Sequence, residues 1–347
     1  MERAKALVPF LMVAASLLIA PMVATANPYL AKPGEAPVTV RAATCATSGG
    51  FIHLYTALDS GLFDKYGMKV EHVEIRGSGI SLAALASDEI QFLYCAGDAT
   101  IPGLVTGSDA KLIGAVLVGQ PWVLLARKDI KKPEDLRGKI IGVARPGDLT
   151  HRLAKAFVEK LGLTETVKIL PVGGTGQVEQ YNALVANTVQ AALVTPPLDV
   201  RGRKDRFNLI YRFNDLGLPA IYSSVHTNSK TLRERPWLVQ KFVAAMAEAV
   251  HFVEKNPDKA KASVGRALKL TDPESLQSAY ETYARTLVNP RLVVPADAVA
   301  EAMQVVREMG TNVTRRPGEI FDNAFAEHLE KSGFLKELWG GDLPKGR

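Results

Sequence analysis

Short apolar runs alternate with segments whose apolar residues recur every three or four positions along the first part of the chain. Residues 38–43, 68–76 and 90–95 are predicted strands, because they are short, apolar or alternating, and followed by turn residues. Between them, residues 52–63 and 82–86 have helical spacing. The order strand, helix, strand, helix, strand with short connections is typical of a parallel sheet covered by helices.

The same order of elements returns about a hundred residues later along the chain. Residues 139–144, 167–172 and 190–194 are predicted strands, and residues 153–161 and 178–185 are predicted helices. Each strand-end turn of the first set therefore has a counterpart in the second. This pattern predicts an α/β protein with two doubly wound lobes and a ligand cleft between them, because ligands in such folds bind outside the carboxyl ends of the strands.

The last third of the chain has a helical pattern. It follows a strand predicted at residues 218–225, which returns from the second lobe. Apolar residues at helical spacing, several of them preceded by proline, predict helices at residues 237–254, 258–268, 273–287, 296–309 and 320–331. We expect this helical C-terminal part to pack on lobe one.

The N-terminal residues have the pattern of a secretory signal peptide. Arg3 and Lys5 precede an apolar run at residues 6–23, and Ala24-Thr25-Ala26 supplies small residues at the cleavage positions. An uncleaved membrane anchor is the alternative, because the apolar run approaches the length of about 20 residues that spans a bilayer. We expect a signal peptide at residues 1–26, cleavage near Ala26 and a periplasmic protein.

Composition narrows the function classes. The 347 residues are 47% hydrophobic and 22% charged, which suits a folded protein of about two domains. The net charge of +6 comes from scattered basic residues without a nucleic-acid motif, so no nucleic-acid partner is expected. The six histidines show neither metal-ligand spacing nor an obvious nucleophile beside them. We therefore expect no metal, no cofactor and no catalytic residue.

Candidate binding residues lie in the turns that follow the predicted strands. Serine, threonine and glycine before an apolar helical pattern begin helices, and the first helical turn points unpaired N–H groups at whatever lies in front of it. The predicted solute-binding residues are Thr47, Ser48, Gly49, Phe51, Ser78, Gly79, Gly97, Asp98, Leu149, Thr150, Thr195 and Pro196. The segment 148–150 is expected to face the turn at residues 44–51 across the cleft.

The sequence alone does not determine the charge of the ligand. Arg76 and Arg145 follow strands and could bind a sulfonate or carboxylate bidentately, although surface arginines are common. Asp98 and Asp148 lie in analogous turns and would disfavour a bare anion unless they cap helices or bind an amine. A zwitterionic or neutral ligand is therefore as plausible as nitrate. Aromatic ligand walls could come from Phe51, Tyr94, Trp122 or Tyr222.

Two further features have two interpretations each. Cys45 and Cys95 end what should be neighbouring strands, and an exported protein could oxidise them to a disulfide. Adjacent parallel strands often give poor bridge geometry, which favours two small buried side chains at the floor of the pocket instead.

The basic run at residues 201–206 is expected to be a solvated face, with docking to a permease as the alternative.

Several short motifs in order resemble those of a known family. They are Ser48-Gly49-Gly50 with Ala57-Leu58-Asp59-Ser60-Gly61-Leu62-Phe63, then Gly67-Met68-Lys69-Val70, then Asp135-Leu136-Arg137-Gly138-Lys139-Ile140-Ile141-Gly142-Val143, and Asn256-Pro257-Asp258-Lys259-Ala260. With these motifs the chain resembles a periplasmic solute-binding protein of the nitrate/sulfonate/taurine type, which feeds ABC importers. The resemblance covers nearly all of the chain after the leader.

The resemblance implies a type II binding-protein fold with two crossings between lobes, near residues 119–122 and 219–222. Lobe one would comprise residues 38–120 and 222–335, and lobe two residues 121–221. It further implies Venus-flytrap closure on a small-molecule solute and delivery to a membrane permease with its ATPase at the inner membrane. The solute would be a sulfonate, nitrate, a carboxylate or a related compound, and the protein a monomer without enzymatic activity.

Two other functions remain as alternatives. A pyrimidine-precursor synthase of thiamine biosynthesis shares this lobe architecture, but such enzymes carry a cysteine-rich motif and active-site histidines and lack an export signal. The present chain has two cysteines and the predicted signal peptide. A ligand-sensing partner of a membrane receptor would have the same sequence features as a transport protein.

Overall fold

The computed structural model describes residues 27–146, 149–173, 177–341 and 343–344. The predicted signal peptide, Asp148 and residues 174–176 lie outside these ranges. The described residues form ten strands: β1 Val38–Thr44, β2 Met68–Glu74, β3 Phe92–Cys95, β4 Ala110–Val118, β5 Val123–Ala126, β6 Ile140–Val143, β7 Lys168–Pro171, β8 Ala191–Val194, β9 Asn208–Arg212 and β10 Ile221–Asn228.

The strands form two five-stranded mixed sheets. The first has the order β2-β1-β3-β10-β4, and the second has the order β7-β6-β8-β5-β9. The strands predicted from the repeated pattern are parallel within each sheet, β1 with β2 and β3, and β6 with β7 and β8. Strands β10 and β5, which follow the crossings between sheets, run antiparallel to their neighbours. The predicted α/β architecture with two wound sheets is confirmed.

Helices cover both sheets. They are α1 Ile52–Asp59, α2 Leu62–Lys65, α3 Ser78–Ala86, α4 Gly97–Val105, α5 Leu149–Lys160, α6 Gln177–Val185, α7 Leu198–Lys204, α8 Ser229–Glu234, α9 Pro236–Lys255, α10 Pro257–Leu268, α11 Pro273–Tyr280, α12 Ala296–Glu308, α13 Ala324–Lys331 and α14 Phe334–Trp339. A π-helical turn, Glu281–Thr286, continues α11. In the described part of the chain, no helix combines the length and apolarity that a bilayer crossing requires.

The helical C-terminal part packs on the first sheet, as the sequence predicts. Phe242 of α9 stacks on Phe92 of β3, with ring centroids 3.8 Å apart, and on Phe63 at 5.1 Å. Helices α9, α12 and α13 contact elements of the first sheet and its cover. We call the first sheet with its helices lobe one and the second sheet with its helices lobe two.

Two segments connect the lobes, residues 119–122 and 213–220. They are tied together, because the Asn214 side-chain oxygen accepts a hydrogen bond from the Gln120 N–H at 3.1 Å. A Cβ at Gly119 would lie 2.4 Å from that oxygen, and Gly119 has a φ of +111°. Glycine at this position therefore permits both the backbone conformation and the close approach of the crossings.

Candidate functional site

A cavity of about 280 Å³ lies at the carboxyl ends of β1 and β3 in lobe one. Its walls are small, aromatic or hydroxyl-bearing side chains, and no charged side chain is among them. The lining residues are Cys45, Ala46, Ser48, Phe51, Ser78, Ala96, Ala99 and Tyr222. The volume approaches the range of about 300–1,000 Å³ typical of sites for small organic ligands.

Helix starts bring hydrogen-bond donors to this cavity. Ser48 has an extended backbone and its hydroxyl accepts from the Gly50 N–H at 3.1 Å, which begins a short 3-10 turn. Helix α3 begins at Ser78 and α4 at Gly97, both beside the cavity. The N–H groups of a first helical turn have no partner within the helix and attract negatively charged or polar ligand atoms. The cavity is thus suited to an acidic group without using a cationic side chain.

Cys45, which lines the cavity, forms a disulfide with the buried Cys95. The two Cα atoms are 5.3 Å apart, within the normal range for a bridge. This corrects the preference for two reduced, buried cysteines. Thr44 pairs with Tyr94 in the register of β1 and β3, so Cys45 and Cys95 follow as facing residues, and Cys45 has already left the strand. Its backbone is therefore no longer held in the ladder geometry that disfavours bridges between parallel strands.

The predicted residues of the first turn separate into two groups. Ser48 and Phe51 line the cavity, whereas the Thr47 hydroxyl donates to Glu74 at 2.6 Å and faces a neighbouring groove on the outside of lobe one. Gly49 lies behind the cavity wall, against the ring of Tyr283. The structure therefore places Thr47 away from the cavity that Ser48 lines.

The predicted residues of the next two turns also divide. Ser78 lines the cavity, whereas a Cβ at Gly79 would have nothing within 4 Å. Gly97 packs against Ile221, where a Cβ would lie 2.4 Å from the Ile221 Cγ2 atom. Asp98 faces away from the cavity and lines a groove of about 310 Å³ next to the crossings. Its carboxylate accepts from the Ile221 N–H at 3.2 Å, and burial raises its pKa to about 6.

Lobe two contributes its predicted residues in two places. Leu149 lines the groove next to the crossings together with Asp98, and the buried Thr150 hydroxyl accepts from the Ala144 N–H at 3.0 Å. Thr195 and Pro196 lie opposite the first turn of lobe one, where the Pro196 carbonyl accepts a hydrogen bond from the Tyr283 hydroxyl at 3.0 Å. The Thr195–Pro196 turn is therefore the part of lobe two that reaches the Gly49 region through Tyr283.

Charged residues considered from the sequence take other roles. The Arg76 side chain is 86% exposed and pairs with Glu74 at 2.8 Å, away from the cavity. The charged residues of the basic run at 201–206 are exposed, as the sequence predicts. Two of them also pair with lobe one, Arg203 with Glu274 at 3.3 Å and Lys204 with Asp272 at 2.7 Å, because α7 packs against α11 across the lobes.

Sequence reasoning missed Tyr283 as a residue of this region. It lies in the middle of the helical pattern at residues 273–287, where an aromatic residue indicates only burial. Of the predicted aromatic wall residues, Phe51 and Tyr222 line the cavity. Tyr94 lies behind Phe51, with the two ring centroids 5.3 Å apart. Within the described ranges, no group of three or more histidine, cysteine or acidic side chains could hold a metal ion.

Two wound sheets, two crossings and a cavity at the strand ends define a periplasmic binding protein fold. A family profile described as NMT1/THI5 like matches residues 48–260, which is more than half of the chain. The chain therefore belongs to the NMT1/THI5-like family. No curated protein sequence matches it significantly.

Solved structures of the same fold include binding proteins and an enzyme. The periplasmic sulfonate-binding protein SsuA from Methylobacillus flagellatus KT is 21% identical, with a TM-score of 0.64 over 90% of this chain and 99% of that one. The periplasmic aliphatic sulphonate binding protein SsuA from Escherichia coli is 18% identical, with a TM-score of 0.65 over 79% and 87%.

The desulfurization enzyme DszB, solved in complex with biphenyl-2-sulfinic acid, is 18% identical, with a TM-score of 0.62 over 85% of this chain and 99% of that one. These similarities establish the fold, and the fold is shared by proteins that bind and by proteins that catalyse.

Proposed function

We propose that the protein is the extracytoplasmic solute-binding component of an ABC importer. It captures a small organic acid in the lobe-one cavity, closes lobe two over it and delivers it to a membrane permease and its ATPase. The observation that carries this proposal is the uncharged cavity at the strand ends, bounded by Ser48 and Ser78 at helix starts. Export by the N-terminal signal and a monomeric state belong to the same proposal.

The cavity favours a solute with both an acidic group and an organic body. Hydroxyls and first-turn N–H groups can donate to a sulfonate or carboxylate, with each helix terminus contributing about 0.3–1 kcal/mol of charge stabilisation. Phe51, Tyr222 and the disulfide offer apolar surface to the rest of the molecule. Nitrate would leave that surface unfilled. A sulfonate or carboxylate with an alkyl or aromatic body is therefore our preferred substrate class, in line with what the SsuA proteins are named for binding.

The side chains at the cavity support binding rather than chemistry. Both cysteines are engaged in the disulfide, and the Ser48 hydroxyl caps the following turn without a base among the cavity-lining residues. The buried His226 interacts with Thr100 and the Leu93 carbonyl inside lobe one. An activated nucleophile requires a base within hydrogen-bond reach. The DszB neighbour makes catalysis the second candidate, and turnover assays on any bound solute decide between them.

A thermal-shift screen of the purified protein tests the proposed substrate class. The compounds are alkane and aromatic sulfonates, aromatic carboxylates, amino acids, pyrimidines and nitrate. A solute at a hundred times its Kd adds about 2.7 kcal/mol to the free energy of unfolding, which raises Tm by several degrees. We expect hits among organic acids and none for nitrate. Hits confined to pyrimidines or nitrate, or conversion of a hit to product, would contradict the proposal.

A further inference from the structure

Two tyrosines from distant parts of the chain stack beside the cavity. Tyr222 of β10 lines the cavity, and Tyr283 lies in the π-helical turn after α11. Their ring centroids are 5.6 Å apart with an interplanar angle of 13°. Tyr283 is buried, with 1% of its surface exposed. The pair thus extends one wall of the cavity into the interior of the protein.

The stacked rings lie directly on the backbone of the first turn. A Cβ at Gly49 would lie 2.7 Å from the Tyr283 Cε2 atom, and one at Gly50 would lie 2.5 Å from the Tyr222 Cε1 atom. Neither distance leaves room for a side chain. The two glycines therefore permit the tyrosine pair to contact the turn that carries Ser48, so the turn and the pair are in rigid van der Waals contact.

The far end of the pair reaches lobe two. The Tyr283 hydroxyl donates to the Pro196 carbonyl at 3.0 Å, and the Thr195 side chain also interacts with this hydroxyl. Burial, followed by the neighbouring Tyr222, holds the pKa of Tyr283 well above its usual value, so the hydroxyl keeps its proton. A hydrogen bond made in the interior is costly to leave unmade when the partners separate.

Other contacts between the lobes lie farther out on the same side. The Ser278 hydroxyl donates to the buried Asp199 carboxylate at 2.9 Å, and Lys204 pairs with Asp272 at the surface. Exposed ion pairs contribute little, because water and salt screen them. Of these interlobe contacts, only the Tyr283 hydrogen bond adjoins a side chain of the cavity wall.

We propose that Tyr283 is a positioning residue that holds lobe two over the cavity, and that its stack on Tyr222 makes lobe closure depend on the cavity wall. A solute packed on Tyr222 would fix the ring pair and thereby favour the closed form. The consequence for solute affinity rests on the proposed function. The apparent Kd of a site that exists only in the closed form varies inversely with the closed fraction.

A cross-linking experiment measures closure without any solute. The Arg203 guanidinium and the Glu274 carboxylate lie 3.3 Å apart across the lobes. Both residues are replaced by cysteines, which a bifunctional thiol reagent with the span of the two lost side chains joins when the lobes are closed as described. The native cysteines are already paired with each other. Into this background we place Tyr283→Phe or Tyr222→Leu. The control is Tyr280→Phe, because the Tyr280 hydroxyl bonds carbonyls within lobe one.

We expect Tyr283→Phe to slow cross-linking about threefold to tenfold, as loss of one buried hydrogen bond predicts. Tyr222→Leu should also slow it, because the ring stack that supports Tyr283 is lost. Tyr280→Phe should leave the rate unchanged. Equal rates in Tyr283→Phe and the parent, or an equal loss in Tyr280→Phe, would overturn the proposal.

If a solute is known, it should accelerate cross-linking in the parent more than in Tyr222→Leu, and equal acceleration would also overturn the proposal. Failure of every solute to bind would count against the proposed function alone, since the solute-free rates still decide the role of Tyr283.

Discussion

At the scale of single residues, local chemistry explains Ser48 and long-range packing explains the glycines after it. The N-cap role of Ser48 follows from its place before a helical pattern, and the sequence predicts it. The reason for Gly49 and Gly50 could not be predicted, because the tyrosines that exclude a side chain there lie far away in the sequence. The orientation of Thr47 could not be predicted either, because its hydroxyl points away from the cavity and donates to Glu74 in β2.

The replacement Gly50→Ala tests this packing. The new Cβ would meet the Tyr222 ring at 2.5 Å, and overpacking of this kind costs about 1–3 kcal/mol. We expect Tm to fall by several degrees in a thermal melt and solute affinity to fall with it. Gly79→Ala is the matched control, since nothing lies within 4 Å of its Cβ. A Gly50→Ala melt that coincides with that control would contradict the described contact.

The buried His53 should make the protein sensitive to acid. Its side chain is fully buried in α1 with neither ring nitrogen hydrogen-bonded to a described residue, and burial lowers its pKa from 6.5 to about 3. Below pH 6.5 the unfolded chain therefore binds a proton that the folded protein does not bind until about pH 3. The free energy of unfolding falls over that interval, at most by about 1.4 kcal/mol per pH unit.

Denaturant titrations at pH 7.5 and pH 5 measure this effect. Replacing His53 by leucine should make the loss of stability between these pH values smaller by about 2 kcal/mol than in the parent. Replacement of the exposed His328 by glutamine serves as the control. Identical pH dependence in the His53→Leu variant and the parent would show that His53 does not stay neutral in the folded protein.

At the scale of elements, boundary signals were most reliable where proline begins a helix. Helices α9, α10 and α11 begin at Pro236, Pro257 and Pro273, close to their predicted starts. The last predicted helix, 320–331, begins only at Ala324, because Phe321 pairs with Leu112 beside β4. The π-helical turn after α11 could not be predicted, since its apolar spacing resembles that of an α-helix.

The disulfide joins the ends of β1 and β3 and should contribute to stability. It links residues 50 positions apart, and closing a loop of this length restricts the unfolded chain. We expect Cys45→Ala with Cys95→Ala to lower the free energy of unfolding by about 2–4 kcal/mol in denaturant titrations. Reductant should destabilise the parent by a similar amount and leave the double variant unaffected. A parent that is insensitive to reductant under unfolding conditions would argue that the cysteines are not bridged.

The ion pairs between α7 and α11 should act only at low salt. Lys204→Gln removes the contact with Asp272, an exposed ion pair that water and salt screen. We expect the variant to favour the open form in dilute buffer and to match the parent near 1 M salt, where the screening length is about 3 Å. Energy transfer between dyes on the two lobes reports the change. Lys331→Gln, which removes an exposed pair within α13 of lobe one, should have no effect at either salt concentration.

At the scale of the whole molecule, the repeated pattern of strands and helices was sufficient to predict two wound sheets and helices on lobe one. The antiparallel strands follow from the crossings, which the pattern alone does not reveal. The candidate site was only partly predictable. The strand ends identify its location, but whether Asp98 faces the cavity or the crossings depends on how α4 meets Ile221.

The central claim is that the lobe-one cavity captures an organic acid through donors at its helix starts. Calorimetric titration of Ser48→Ala with Ser78→Ala, using the best organic acid from the screen, tests this most directly. Hydrogen bonds to a charged group are worth about 1.5–3 kcal/mol each, so the affinity should fall at least tenfold from a parent that binds one solute per chain. Thr47→Ala, whose hydroxyl faces the outer groove, should bind as the parent does. Parent-like affinity in the double variant would contradict the account.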